Sequence, residues 1–180
     1  MNRPPSPPST SRTNDSNHPA AAPEPRVPAG SVRAPSAEAM QTLGARLGRA
    51  MQAGDVVGLT GPLGSGKTTF AQGIAVGLEV PSDRHVASPT FALVNQHPGR
   101  VRFLHADFYR VKDKAELAEL GLEEAYDDAA AALEWAERFL EVLPADHLHI
   151  EFVTDADGGR RLALFPTGAR GQALAAALLP

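Results

Sequence analysis

Residues 61–68 read Gly61-Pro62-Leu63-Gly64-Ser65-Gly66-Lys67-Thr68 and fit the phosphate-binding pattern G-x-x-x-x-G-K-[ST] at every fixed position. Glycines let successive backbone N–H groups approach a phosphate without side-chain clash. The Lys67 ammonium suits the β- and γ-phosphates of a nucleotide, and the Thr68 hydroxyl is a hard oxygen ligand for Mg²⁺. The predicted nucleotide contacts of this loop are Gly61, Leu63, Gly64, Ser65, Gly66, Lys67, Thr68 and Thr69.

The flanks of the loop supply the two elements that it needs. Upstream, Asp55 to Thr60 is a short, apolar and β-branched run, which is typical of a buried strand. Downstream, Phe70, Ile74 and Leu78 lie four residues apart and predict one apolar face of a helix. The N-terminus of that helix adds partial positive charge beside the phosphates. Strand, loop and helix therefore follow one another in the order that phosphate binding requires.

Composition excludes several classes of protein. The chain has 180 residues, no cysteine and a net charge of -4, so disulfides, thiolate catalysis and cysteine-ligated zinc are excluded. Its Lys and Arg residues are scattered along the sequence, which argues against a protein that binds nucleic acid by itself. The sequence has neither an apolar run of membrane-spanning length nor the apolar core of a signal peptide. We therefore expect a cytoplasmic protein that makes no membrane contact.

The proline content divides the chain into two regions. Residues 1–35 contain nine of the sixteen prolines, together with many Ser and Ala residues, and are expected to form a disordered N-terminal arm because they offer little apolar surface. Residues 36–180 are expected to form a single nucleotide-binding domain. Ser36 is a predicted N-cap for a helix that ends at Gly54.

The remaining periodicities alternate between strands and helices. Two alternating runs, from Phe91 and from Val101, flank the turn at 97–99 and predict an antiparallel hairpin. Asp113 is the predicted N-cap of a short helix. Residues 129–135 favour a buried strand despite the helical preference of alanine. Residues 147–153 and 161–165 predict a second hairpin, and residues 171–179 a terminal helix. The predicted fold is α/β: a P-loop NTPase-like three-layer domain with a mixed central sheet and an inserted antiparallel hairpin.

Hydrolysis of a nucleotide needs acids as well as a phosphate loop. Glu134 ends an apolar run and is predicted to hold Mg²⁺ with Thr68, while Asp107 ends a second apolar strand and is predicted to orient water or to hold a Mg²⁺-bound water. The alternative for each acid is a surface carboxylate in a loop. Thr90 is a candidate contact to the γ-phosphate, or else a hydroxyl that stabilises a turn.

Two further residues carry open alternatives. Trp135 is the only tryptophan and is either a core residue or an aromatic ring that stacks on a nucleotide or a partner. Arg160 follows a glycine turn and is either a nucleotide contact or a solvated side chain.

Four motifs together resemble the bacterial TsaE (YjeE) family of ATPases in tRNA threonylcarbamoyladenosine synthesis. They are 64–70 (GSGKTTF), 88–94 (SPTFALV), 105–110 (HADFYR) and Glu134-Trp135. The resemblance spans Ser36 to Arg161, and the order and spacing of the four motifs make it more specific than the phosphate loop alone. Two departures are Pro62, where the family often has Asp, and Ala136, where it often has Pro.

The resemblance implies a fold, a reaction and partners. It implies a Mg²⁺-dependent ATPase that does not itself modify tRNA but acts on a TsaB–TsaD complex, in which TsaD transfers threonylcarbamoyl to adenosine 37 of ANN-decoding tRNAs. The implied catalytic residues are Lys67, Asp107 and Glu134, and the implied metal site contains Thr68, Glu134 and Asp107. The implied nucleotide contacts outside the loop are Ser36, Ala37, Thr90, Trp135 and Arg160.

Two other classes of nucleotide-binding protein also have a phosphate loop. A small-molecule or nucleoside kinase also needs a phosphate loop, but it requires an acceptor pocket and usually an arginine-rich lid, and no such lid is visible in the sequence. A GTPase needs an Asn-Lys-x-Asp guanine reader, which Asn95-Gln96-His97-Pro98 does not supply.

Overall fold

A seven-stranded mixed sheet forms the centre of the computed structural model, which describes residues 27–84 and 86–180. Its strands are β1 (Gly30–Ala34), β2 (Val56–Thr60), β3 (Val94–His97), β4 (Arg102–Asp107), β5 (Ala129–Glu134), β6 (His147–Thr154) and β7 (Arg160–Thr167). Their spatial order is β1-β7-β6-β2-β5-β4-β3. The pairs β2–β5, β2–β6 and β4–β5 are parallel, and the outer pairs are antiparallel. The predicted α/β class with a mixed sheet is confirmed.

Helices cover both faces of this sheet. Within the described residues the α-helices are α1 (Ala37–Ala50), α2 (Lys67–Gly77), α3 (Lys114–Ala118), α4 (Leu122–Ala125) and α5 (Gly168–Leu178). One core lies between the sheet and α1, α2 and α5, and the other lies between the sheet and the segment that contains α3 and α4. Along β5, Ala130 and Ala132 belong to the first core, while Ala131 and Leu133 belong to the second, because successive side chains of a strand point to opposite faces. No described helix combines the length and apolarity that crossing a membrane requires.

Glycines bring α1 and α2 into close contact on the side of the phosphate loop. A Cβ atom at Gly44 would lie 2.9 Å from the Cα of Gly73 and closer still to the carbonyl oxygen of Phe70. The two helix backbones can approach this closely only without side chains at the crossing. The same crossing fixes α2, which begins with Lys67, against the core.

Several predicted boundaries are corrected by the structure. The folded domain does not begin at residue 36, since β1 pairs antiparallel with β7 along its whole length; residues 1–26 of the predicted arm lie outside the described residues. Phe91 is 85% exposed and precedes β3, because the chain turns there: the N–H of Leu93 donates to the carbonyl of Pro89 at 2.6 Å. The hairpin is part of the main sheet and forms its edge, since β4 pairs with β5. Helix α5 begins at Gly168, before the predicted start at residue 171.

Candidate nucleotide-binding site

The phosphate loop lies at the carboxyl end of β2, an interior strand of the sheet. Gly61 has φ of 146° and Gly66 has φ of 101°, values that residues with a Cβ rarely adopt. At Gly61 a Cβ would also lie 2.8 Å from the carbonyl oxygen of Phe152. Gly66 is the N-cap of α2 and its carbonyl accepts from the N–H of Phe70 at 2.9 Å. The loop therefore ends on the positive end of a helix, as phosphate binding requires.

Lys67 points back into the loop and is almost fully buried, with 4% exposure. Its ammonium donates to the carbonyl oxygens of Gly61 at 2.7 Å and Pro62 at 3.1 Å. The same Nζ lies 4.0 Å from the centroid of the Trp135 ring, which is the geometry of a cation–π contact. Burial lowers the pKa of Lys67, while the negative charges of Glu134, Glu137 and Asp107 oppose that shift. The Lys67 ammonium thus lies between two loop carbonyl oxygens and an aromatic ring.

Glu134 lies at the end of β5 beside the first turn of α2. Its Oε2 accepts a hydrogen bond from the Thr68 hydroxyl at 2.9 Å, and its Oε1 lies 2.8 Å from Nε2 of His105. Glu134 is 2% exposed, so it is not a surface carboxylate in a loop and lies beside the phosphate loop. The parallel register of β2 and β5 explains why Glu134 meets Thr68, because the two strands end side by side.

These donors fit a magnesium ion. Mg²⁺ is usually held by one or two protein oxygens together with waters and substrate phosphates, and Thr68 and Glu134 place a hydroxyl and a carboxylate next to each other. Within residues 27–84 and 86–180 there is no group of three or more His, Cys, Asp or Glu side chains that would hold a metal without a substrate. The oxygens of Thr68 and Glu134 fit an ion whose other ligands are waters and substrate phosphates.

Asp107 lies next to Glu134 in the register of β4 and β5 and is 3% exposed. Its Oδ2 accepts from the hydroxyls of Ser88 and of Thr90, the latter at 3.1 Å, and its Oδ1 accepts from the N–H of Tyr109 at 2.9 Å. Thr90 thus joins the loop before β3 to the acid at the end of β4. Asp107 is not a loop carboxylate on the surface, and in this conformation the described donors occupy both of its oxygens.

A cavity of ≈ 350 Å³ brings most of these residues together. Its walls are Leu63, Gly64, Ser65, Gly66, Lys67, Thr68, Thr69, Ser88, Thr90, Asp107, Tyr109, Glu134 and Trp135. Ser65 is 1% exposed, and its hydroxyl has no hydrogen-bond partner in the described part of the chain. An orphaned buried hydroxyl next to Lys67 fits a polar ligand such as phosphate. Of the predicted loop contacts, Gly61 does not line this cavity, and its carbonyl accepts a hydrogen bond from Lys67.

A second cavity of ≈ 190 Å³ lies on the other side of the loop and shares Gly64, Ser65, Gly66 and Thr69 with the first. Ser36, Ala37 and Met40 form one wall, and Gly158 and Arg160 form another. Arg160 Nη2 donates to the carbonyl of Gly64 at 3.3 Å, so this arginine is tied to the phosphate loop. The structure therefore gathers the predicted contacts Ser36, Ala37 and Arg160 beside the loop.

Two site residues were missed from the sequence. His105 is fully buried and contacts Glu134, and Tyr109 lines the larger cavity and packs against Trp135 with 5.0 Å between ring centroids. The sequence contains a signal for His105. It lies two residues before Asp107 on an alternating strand, so the two side chains lie on the same face of the sheet. Trp135 is half-buried and lines the cavity, so it is not a plain core residue.

Comparison with known proteins agrees with this geometry. The family profile described as "Threonylcarbamoyl adenosine biosynthesis protein TsaE" matches residues 34–162. A Mycobacterium bovis protein named tRNA threonylcarbamoyladenosine biosynthesis protein TsaE is 38% identical over 149 residues, which cover 77% of this chain and 88% of that protein. A Bacillus subtilis protein of the same name is 38% identical over 123 residues, covering 67% of this chain and 75% of that protein.

A solved structure is also similar. The crystal structure of Bacillus subtilis YdiB superposes with a TM-score of 0.70 at 28% identity, covering 83% of this chain and 93% of that chain. The profile match spans most of the residues that form the sheet and both cavities. The chain therefore belongs to the TsaE family.

Proposed function

We propose that this protein binds ATP with Mg²⁺ and hydrolyses it as an accessory subunit in the threonylcarbamoyl modification of adenosine 37 in ANN-decoding tRNAs. The observation that carries the proposal is the hydrogen bond between Thr68 and Glu134, 2.9 Å long, beside the buried Lys67. A hydroxyl and an acid joined in this way at the start of the phosphate-loop helix suit a nucleotide-bound Mg²⁺. The tRNA role is taken from the names of the relatives.

Different residues of the chain have different roles in the proposed reaction. The backbone N–H groups of the loop and the Lys67 ammonium bind the β- and γ-phosphates, while Thr68 and Glu134 hold the metal. A bound ion would supply positive charge there, to offset the negative charge on the phosphates during transfer. Asp107 orients the attacking water through Oδ2 once the hydroxyls of Ser88 and Thr90, which both donate to that oxygen, release it. The adenine side of the nucleotide occupies the smaller cavity between Ser36 and Arg160.

The net charge of the chain agrees with an accessory role. Its net charge of -4 does not favour direct binding to tRNA, because such binding depends on clustered cations. The TsaB–TsaD complex is the partner that the resemblance to the TsaE family implies, and we propose that the protein acts on it in the cytoplasm, contacts tRNA only indirectly and leaves the transfer of threonylcarbamoyl to TsaD.

The test is ATP hydrolysis by the full chain with Mg²⁺, measured alone, with TsaB, with TsaD and with both, while modified tRNA is counted in parallel. The expected result is hydrolysis that rises when both partners are present and modified tRNA that accumulates only with ATP. Lys67→Ala should abolish both signals, whereas the matched surface variant Lys114→Ala, whose side chain is 80% exposed, should leave both unchanged.

Two results would contradict different parts of the proposal. Absence of heat on calorimetric titration with ATP and Mg²⁺ would remove the nucleotide site itself. Hydrolysis that ignores TsaB and TsaD but rises with an added small-molecule acceptor would replace the accessory role with that of a kinase.

A further inference from the structure

His105 is a buried histidine that phosphate binding does not use. It lies on β4, an interior strand, and is 0% exposed. Its Nε2 lies 2.8 Å from Oε1 of Glu134, which is itself 2% exposed. A polar pair this deep needs good geometry to offset the loss of hydration. The contact is therefore a specific constraint on the Glu134 carboxylate.

The direction of this hydrogen bond follows from the surroundings of the ring. An ionised carboxylate only accepts hydrogen bonds, so the tautomer of His105 with its proton on Nε2 is the one that donates to Oε1 of an ionised Glu134. Nδ1 has no partner among the described residues, and the ring stacks on Phe103 with 5.8 Å between centroids. Nδ1 thus faces surroundings that offer no donor, and the ring acts as a donor toward Glu134 alone.

We propose that His105 is a positioning residue that fixes the plane of the Glu134 carboxylate for metal binding, an inference that rests on the proposed function. The terminal torsion of a glutamate side chain is broad and roughly two-fold, so the hydrogen bond from Thr68 to Oε2 leaves the carboxylate free to turn. The second bond, from His105 to Oε1, comes from a different strand and stops that rotation. Oε2 then stays directed at the Thr68 hydroxyl.

Loss of this hydrogen bond should lower the affinity for the metal ion and leave the affinity for phosphate unchanged. Residues that hydrogen-bond a metal-holding carboxylate typically affect metal affinity or activity by about 10- to 100-fold. Lys67 and the backbone of the loop do not contact His105 in the hydrogen bonds of the site. The effect should therefore appear in metal affinity while affinity for the metal-free nucleotide is retained.

The test uses Mn²⁺ as the probe, with a non-hydrolysable ATP analogue bound to the full chain, and follows free Mn²⁺ by electron paramagnetic resonance. His105→Leu and His105→Asn should lower Mn²⁺ affinity by about 10-fold or more, since Leu has no donor and Asn is too short to reach Oε1. His105→Gln places an amide near the position of Nε2 and should restore most of the affinity. His97→Leu is the matched control: His97 is also buried and stacks on Phe103, and it should leave Mn²⁺ affinity unchanged.

The Asn and Gln variants keep the test decisive even if the Leu variant does not fold. Equal Mn²⁺ affinity in the wild type, His105→Asn and His105→Gln would overturn the positioning role. So would an equal loss in all the His105 variants and in His97→Leu, because that pattern reports general damage to the sheet. Failure of the wild-type chain to bind Mn²⁺ with the analogue would instead count against the proposed function.

Discussion

Lys67 and Trp135 contact each other across the wall of the larger cavity, with Nζ 4.0 Å from the centroid of the indole ring. Trp135 has φ of 60°, a left-handed conformation that is uncommon for a bulky residue. That backbone directs the ring toward the phosphate loop directly after Glu134. Lys67 therefore contacts the residue that directly follows Glu134, the acid that we propose holds the metal.

Nucleotide affinity should fall as the pH rises. Burial lowers the pKa of Lys67, so the free protein loses this charge at a lower pH than an ordinary lysine does, whereas a bound polyphosphate favours the charged form. Between the pKa of the free protein and that of the complex, affinity should drop by up to about tenfold per pH unit. Calorimetric titration with ADP from about pH 7 to about pH 10 measures the slope. Lys67→Arg stays charged and should show a flatter profile; equal slopes in the two proteins would contradict the assignment.

Removal of the Lys67 side chain should abolish tight binding. Truncation of one partner in a buried, charged contact costs about 2–5 kcal/mol, which corresponds to about a 30-fold or greater loss of affinity. Titration of Lys67→Ala with ATP and Mg²⁺ measures this loss. Lys114→Ala serves as the control because Lys114 pairs with Glu141 at an exposed position. Comparable affinity in the two variants would contradict a phosphate-binding Lys67.

Loss of either acid should suppress turnover while nucleotide binding stays measurable. Glu134→Ala removes the proposed metal ligand and Asp107→Ala removes the group proposed to orient water, so we expect kcat to fall by about 100-fold or more. Steady-state hydrolysis and calorimetry on the same preparations separate the two effects. Glu141→Ala, at an exposed acid outside the larger cavity, should retain wild-type turnover. Undiminished turnover in both acid variants would remove the catalytic assignment of Asp107 and Glu134.

The ion pair between Arg170 and Asp55 should contribute strongly to stability. Arg170 Nε donates to Oδ1 of Asp55 at 2.6 Å and Nη2 donates to Oδ2 at 2.5 Å, and the Asp55 side chain is 1% exposed. Arg170→Ala leaves a buried carboxylate without its cation and should lower the free energy of unfolding by about 3 kcal/mol. Chemical denaturation measures this change. Arg161→Ala, which breaks a more exposed pair with Asp155, should cost less than about 1 kcal/mol; a similar loss in both variants would contradict the prediction.

A methyl group at the crossing of α1 and α2 should separate the two helices. The Cβ of Gly44→Ala would meet the Phe70 carbonyl and the Cα of Gly73, which are backbone atoms that cannot turn aside. Overpacking of this kind typically costs about 1–3 kcal/mol, even though alanine favours a helix. Thermal unfolding measures the shift, with Arg49→Ala on the exposed side of the same helix as a control within about 0.5 kcal/mol of the wild type. Stability equal to that of the control would show that the crossing tolerates a side chain.

The sequence by itself determined the local features of this protein. The glycines of residues 61–66 specify a loop that needs positive φ, and the periodicities around them specify the buried strand β2 and the helix α2, because these properties depend on neighbours along the chain. The apolar runs that end at Asp107 and Glu134 likewise predict that each acid lies at the end of a buried strand. The second hairpin, β6 and β7, was predicted from alternation and a glycine turn alone.

Only the tertiary structure decided which distant residues meet. The edge strand β1 has few apolar residues and becomes visible through its pairing with β7, which no local pattern encodes. Phe91 was assigned to a strand, but the turn at Leu93 leaves it outside the sheet. The bond from His105 to Glu134 depends on the parallel register of β4 and β5, and register is fixed by packing across the whole sheet, not by the residues of either strand.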